Sequence, residues 1–123
     1  MKLKLLLFSL LLVGCTCSEP ETEQPKYTIG FSQCADDLWR QIMMVQMEAE
    51  VAKHPDLRLL TKVAKNNTEE QVSQINDLLD EGVNLLIISP NESVQSITEV
   101  AELAYRRGIP TIIWDRKKPL LPA

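Results

Sequence analysis

The sequence predicts a doubly wound α/β fold built on a parallel sheet, and three observations lead to this expectation. Strand and helix patterns alternate from residue 27 to residue 114. The stretch Val83–Ile88 is almost continuously apolar, as is typical of a parallel strand covered on both faces. Gly82 and Gly108 each stand where a helix pattern stops and a strand pattern of similar length begins.

The first unit runs from Tyr27 to Pro55. Apolar and small or polar residues alternate from Tyr27, which indicates a strand ending near Ser32. Asp36 or Asp37 is expected to cap the next helix, and Pro55 to end it. The predicted inward stripe of this helix, at helical spacing, is Leu38, Ile42, Val45, Ala49 and Ala52.

Two further units follow. A second strand is predicted over Leu57–Val63, and Asn67 with Glu70 has the spacing of a capping box at the start of the second helix. The third helix begins after a polar loop at residues 89–93, and the fourth strand, residues 109–114, ends on Trp114, which we expect in the core. The predicted buried residues of the second and third helices are Val72, Ile75, Leu79, Ile97, Val100, Ala101 and Ala104.

Right-handed crossovers determine the expected order of the strands. They place the second strand on one side of the first and the third and fourth strands on the other. The strand order then reverses between the first and third strands, and open parallel sheets bind ligands at this point, outside the carboxyl ends of the strands. Ser89 and Asp115 each lie seven residues after a helix-ending glycine, so we expect them at equal height on that edge.

Residues 1–14 have the layout of a secretory signal. Two lysines precede the apolar run Leu5–Val13, which is too short to span a bilayer as a helix. The run stops at Cys15 in a sequence that resembles the lipobox of bacterial lipoproteins, although an ordinary signal peptide with an incidental cysteine is the alternative. Residues 15–26, rich in glutamate and proline, are predicted to form a tether. We therefore expect a protein on the periplasmic side of the cell envelope, held at the membrane by lipid.

Composition and motifs exclude several classes of function. The net charge is −4, with no cluster of basic residues to bind nucleic acid. The sequence has no glycine-rich dinucleotide motif, nucleophile–base pair or metal-spaced Cys/His set, so an enzyme, a cofactor and a metal are not expected. A Cys17–Cys34 disulfide is compatible with an oxidising compartment, but two unpaired thiols are favoured because no framework pattern is present.

Polar and aromatic residues converge on the predicted carboxyl edge. A carboxylate and a guanidinium can hold neighbouring sugar hydroxyls, and an aromatic ring can cover the C–H patch of a sugar. These residues also have structural alternatives. Asp36 is a candidate helix cap, Trp39 a candidate core residue and Arg40 a candidate ion-pair partner. Asp115 and Arg116 are alternatively a surface pair. The candidate ligand-binding residues are Ser32, Asp36, Trp39, Arg40, Ser89, Asp115 and Arg116.

Three segments resemble the ribose-binding-protein family of type I periplasmic sugar-binding proteins: Ile29–Ser32, Gly82–Pro90 and Gly108–Arg116. The resemblance implies that residues 27–123 form part of an N-terminal lobe. It also implies sugar contacts from the Asp115–Arg116 pair, and from the positions of Ser32, Asp36, Trp39 and Ser89. Members often have asparagine at the positions of Asp36 and Ser89, which leaves the identity of the sugar open.

One subgroup is more similar than the rest. The segments Ser32–Cys34 and Asp37–Arg40 resemble the periplasmic sensor domains of hybrid two-component systems. The resemblance implies monosaccharide binding for a transporter permease or for a downstream kinase module. The family continues well beyond Arg116, so a truncated remnant that binds nothing is the alternative expectation. Because a lobe without its returning strand leaves an apolar edge and face uncovered, we expect residues 27–123 alone to aggregate or to form a loosely packed monomer.

Replacing Cys15 with serine tests the lipid anchor. Labelled palmitate should enter the wild-type chain and not the Cys15→Ser variant, because the thiol is the predicted acylation site. Cys17→Ser, two residues away, is the matched control and should label like the wild type. Equal labelling of the Cys15→Ser variant and the wild type would contradict the prediction.

Overall fold

Seven elements alternate along the chain, as expected for an α/β protein. The computed structural model describes residues 24–91 and 94–114. The elements are β1 (Tyr27–Gln33), α1 (Leu38–Val51), β2 (Leu57–Val63), α2 (Thr68–Asp80), β3 (Leu85–Ser89), α3 (Val94–Arg106) and β4 (Thr111–Ile113).

The four strands of this sheet are parallel and have the order β2-β1-β3-β4. In the register, Phe31 lies between Thr61 on β2 and Ile87 on β3, and Gln33 lies between Val63 and Ser89. The predicted doubly wound topology is therefore confirmed. The strand order reverses between β1 and β3, where the sequence predicts it.

The helix ends follow the local sequence signals. Asp37 caps α1, and its side chain accepts a hydrogen bond from the backbone N–H of Arg40. Asn67 caps α2 in the same way, accepting from the N–H of Glu70 at 3.0 Å. The Glu70 carboxylate accepts from Gln74 instead of completing a reciprocal box. Gly82 follows α2 with φ of 75°, a left-handed conformation that glycine adopts without steric cost.

The core lies between one face of the sheet and the helices α2 and α3. Ile75, Leu78, Leu86 and Ile88 are fully buried there, and burial of each such side chain stabilises the fold by about 1.5–3 kcal/mol. The predicted core positions Ile75, Leu79, Ile97, Val100 and Ala104 are confirmed, whereas Val72 and Ala101 are half-buried at its margin.

Gly30 allows α2 to approach β1 closely. A Cβ atom at this position would lie 3.0 Å from a methyl group of Val83 and 3.4 Å from a methyl group of Leu78. Any side chain at residue 30 would therefore push the helix and its following loop away from the central strand.

The predicted inward stripe of α1 is wrong. Leu38, Ile42 and Val45 are exposed by 72%, 50% and 64%, and Ala49 and Ala52 are exposed as well. The half-buried side of the helix is instead formed by Arg40, Met43, Met44, Met47 and Val51. Both sides of α1 are apolar, so helical periodicity alone could not distinguish them. The unbranched methionines, which adapt to irregular surfaces, lie on the half-buried side.

Trp114 is also not in the core, contrary to expectation. It is 45% exposed, and Ile112 and Ile113 of β4 are exposed to a similar degree. β4 is an edge strand of three residues, whereas α1 packs against β2 at the opposite edge of the sheet. β4 therefore leaves apolar side chains exposed, and such a surface is the reason to expect self-association.

Replacing Ile42 and Val45 together with glutamine tests the exposed side of α1. Because both side chains already contact solvent, the free energy of unfolding should change by only about 0.5 kcal/mol per site, while self-association should decrease. Met47→Gln, on the half-buried side, is the control and should lower the melting temperature. Sedimentation velocity and thermal melts measure both effects. Unchanged association together with a large loss of stability in the double variant would contradict this orientation of α1.

Candidate functional site

The candidate site lies at the carboxyl edge of the sheet, where β1 and β3 are neighbours and their following loops separate. β1 leads into the start of α1, and β3 leads toward α3. Ser32 and Ser89, the predicted site residues on these strands, are both fully buried. They lie beneath the edge, so neither side chain is open to solvent.

A buried glutamine connects the two strands. Gln71 of α2 is fully buried, and its Nε2 donates to the hydroxyl of Ser32 at 3.1 Å and to the carbonyl of Ser89 at 2.9 Å. Its Oε1 accepts from the backbone N–H of Asn91 at 2.9 Å. Sequence analysis missed Gln71. A signal was available in the sequence. Gln71 lies one turn before Ile75 on the same side of α2 as Ile75 and Leu78, so its spacing indicates a buried position with a polar side chain.

The two neighbouring acids have different roles. Asp37 caps α1 and forms an ion pair with the guanidinium of Arg40, whose side chain is only 13% exposed. The side chain of Asp36 is not used in the cap, and the residue is exposed. The structural alternative foreseen for Arg40, an ion pair, is therefore present, and the cap is Asp37.

The side-chain hydrogen bond from Arg40 lowers the pKa of Asp37 below the ordinary aspartate value. Partial desolvation of the carboxylate opposes this change, while the backbone N–H and the positive charge of Arg40 lower the pKa further. Arg40 Cζ also lies 5.8 Å from the centre of the Trp39 ring, and Trp39 is 53% exposed. The beginning of α1 thus presents an exposed carboxylate and an exposed indole, next to a guanidinium that is held in place by Asp37.

Two further polar groups lie just below this surface. The thiol of Cys34 is buried and free, 3.9 Å from Gln33 Oε1 and 3.8 Å from the hydroxyl of Ser89. The Nε2 atom of Gln33 is buried and has no hydrogen-bond acceptor among the described residues. Cys17, the other member of the disulfide considered above, lies outside the described residues.

Two backbone hydrogen bonds join the loop between β2 and α2 to the end of β1. Ala64 N–H donates to the carbonyl of Gln33 at 2.9 Å, and Asn66 N–H donates to that of Cys34 at 2.6 Å. Lys65 and Asn66 have φ of 49° and 66°, in the left-handed region that is costly for a residue with a side chain. Such local strain persists only where the surrounding structure fixes it.

Five of the seven predicted site residues lie at or shortly after the ends of β1 and β3, and burial divides them into two layers. Ser32 and Ser89 form the buried layer, and Asp36, Trp39 and Arg40 form the outer one. Asp115 and Arg116 lie outside the described residues. Within residues 24–91 and 94–114, no cluster of three metal-ligating side chains occurs, and none of the helices is long and apolar enough to cross a membrane.

A family model and a curated relative both match this chain as a periplasmic binding protein. Residues 29–122 match the model of the periplasmic binding protein domain. The chain is 27% identical over 113 residues to the ribose import binding protein RbsB of Bacillus subtilis (strain 168), an alignment that covers 86% of this chain and 37% of RbsB.

Solved structures agree with this match. The fructose-binding periplasmic domain of a hybrid two-component system is 37% identical with a TM-score of 0.70, covering 74% of this chain and 30% of that one. A solute-binding protein of Bacillus halodurans C-125 with bound myo-inositol is 26% identical with a TM-score of 0.69, covering 76% and 32%. The chain therefore spans about a third of the length of these relatives.

Replacing Asp37 tests the ion pair at the start of α1. Because its folded pKa is lowered, its stabilising effect is present above the ordinary aspartate pKa and is lost as the pH falls through the folded pKa. Asp37→Asn retains a capping side chain, so α1 should persist without this acid dependence, whereas Asp37→Ala should fray the first turn at every pH. Amide NMR from about pH 7 to about pH 2 measures both effects. Asp36→Asn is the neighbouring control, and an equal effect of that change would contradict the assignment of the cap.

Proposed function

Because the chain belongs to the periplasmic binding protein domain family, whose solved relatives hold bound sugars and cyclitols, we propose that it binds a monosaccharide in the cell envelope. The observation that supports this most is the position of the site. Exposed Asp36 and Trp39 lie at the carboxyl edge, where the strand order reverses between β1 and β3.

Each exposed group suits one part of a sugar. The carboxylate of Asp36 accepts hydrogen bonds from hydroxyl groups, and the indole of Trp39 packs against a C–H face. Arg40 is already oriented by Asp37 and can donate to a hydroxyl oxygen without first being ordered. Asp115 and Arg116 follow the neighbouring β4 and supply a second acceptor and donor. Ser32 and Ser89 support these groups from the buried layer.

Two relatives support a proposal for the role of this protein in the cell. Among the relatives, RbsB is an import binding protein, and the structure with 37% identity is a periplasmic domain of a hybrid two-component system. We accordingly propose that the sugar site feeds either a transporter permease or a sensor kinase, with Cys15 anchoring the protein at the membrane by lipid. The similarity to the fructose-binding sensor domain makes D-fructose the first ligand to test.

The affinity of this chain by itself should be low. A tight small-molecule site buries roughly 70–90% of its ligand, whereas Asp36 and Trp39 form an open surface. Binding at one such surface should be millimolar or weaker, which corresponds to about −4 kcal/mol at best.

Saturation-transfer NMR with D-fructose, D-ribose, L-arabinose and myo-inositol tests the site. At least one sugar should bind with a dissociation constant of about 1 mM or weaker, and Trp39→Ala or Asp115→Ala should weaken that binding about tenfold or more. Glu102→Ala, an exposed position on α3, is the control and should bind like the wild type. Absence of binding by the wild type, or unchanged binding by both site variants, would contradict the proposal.

A further inference from the structure

We propose that Gln71 is a positioning residue that fixes the spacing between the ends of β1 and β3, and thereby the geometry of the sugar site. This inference rests on the proposed function for its consequence, although the geometry itself does not depend on any ligand. Gln71 belongs to α2, which contributes none of the predicted contact residues. Its role is therefore to act through the two strands.

Both the NH₂ group and the oxygen of the Gln71 side-chain amide form hydrogen bonds. The Nε2 group donates to Ser32 on β1 and to the Ser89 carbonyl on β3, at 3.1 and 2.9 Å. The Oε1 atom accepts from the N–H of Asn91 at 2.9 Å, beyond the end of β3. One side chain thus joins the last part of β1, the last residue of β3 and the loop that follows it.

This arrangement needs a glutamine for a chemical reason. The Ser89 carbonyl requires a donor and the Asn91 N–H requires an acceptor, and Ser89 and Asn91 are both buried. Glutamate offers only acceptors when ionised, and methionine offers neither a strong donor nor a strong acceptor. A buried polar group that loses its partner is costly, so the strand ends should separate or rearrange when the amide is removed.

The position of this amide explains its connection to the site. Ser32 lies four residues before the exposed Asp36, and Ser89 pairs in register with Gln33. The Cys34 thiol, 3.8 Å from the Ser89 hydroxyl, forms only a weak second link between the same strands. Gln71 thus links the end of β1 to the loop after β3 through amide hydrogen bonds at both ends of its side chain.

The test uses Gln71→Met, which retains the approximate length and volume of the side chain, and Gln71→Glu, which retains only the acceptor. Ile75→Val is the matched control, because Ile75 is fully buried one turn further along α2 and its hydrocarbon side chain has no atom that can hydrogen-bond a loop amide. Gln74→Met removes a different glutamine amide, which donates to the Val63 carbonyl. Hydrogen exchange of the Asn91 N–H, the thermal midpoint and the dissociation constant for D-fructose are measured for each variant.

We expect exchange of the Asn91 N–H to accelerate about tenfold or more in Gln71→Met, and to stay slow in Gln71→Glu, whose carboxylate still accepts from it. Both Gln71 variants should weaken sugar binding by about tenfold. Ile75→Val and Gln74→Met should bind like the wild type even where their thermal midpoints fall as far as those of the Gln71 variants. This contrast separates positioning from a general loss of stability.

Unchanged Asn91 exchange in Gln71→Met would overturn the proposal. So would binding that falls in proportion to the thermal midpoint in all four variants. If Gln71→Met does not fold, Gln71→Glu decides by its binding, measured against Ile75→Val. If the wild type binds no sugar, the proposed function is overturned, and the exchange of Asn91 alone decides whether Gln71 fixes the strand ends.

Discussion

The fold depends on the close packing of α2 and α3 against one face of the sheet. Gly30 leaves room for Val83 and Leu78 at the centre of β1, and Leu86 and Ile88 of β3 lie on the same buried face. This contact fixes the position of α2 relative to the two central strands. Because Gln71 lies one turn before Ile75 on the buried side of that helix, the same packing brings its amide to the ends of β1 and β3.

The two faces of the sheet differ for a physical reason. α2 and α3 bury stripes of mainly branched side chains, whereas α1 has no fully buried residue and its half-buried ones are Arg40, three methionines and Val51. Its other apolar side, with Leu38, faces solvent. The candidate residues at the start of α1 therefore belong to the less firmly packed helix. The cap and the ion pair that Asp37 forms order the first turn of α1, where packing against the sheet contributes less.

Much of the fold could be predicted from the sequence because its signals are local. Strand β2 was predicted with its observed bounds, and the strand order followed from crossover handedness alone. The orientation of α1 could not be predicted, because two apolar sides compete and only the sheet decides between them. The exposure of Trp114 could not be predicted from the strand itself, because burial at this position depends on whether another element covers β4.

The candidate residues of both layers could be predicted from the sequence, Ser32 and Ser89 included, whereas the glutamine that joins these two serine residues could not. Asp36 and Trp39 follow a strand and have side chains that suit a sugar, so their types and positions make them candidates, and the structure leaves both exposed. Gln71 is distant in sequence from both strands that it joins, and a single glutamine in a helix has many ordinary explanations.

Under the proposed function, the two layers divide the work of binding a sugar between exposed contact groups and a buried support. Hydrogen bonds among Gln71, Ser32, Ser89 and Asn91 are formed within the chain itself, so the strand ends need no ordering when a ligand arrives. Preorganisation of this kind reduces the entropic cost of binding without adding a contact to the ligand. If Asp36 contacts the sugar as proposed, selectivity can change through this exposed side chain while the proposed positioning by Gln71 keeps the geometry of the edge constant.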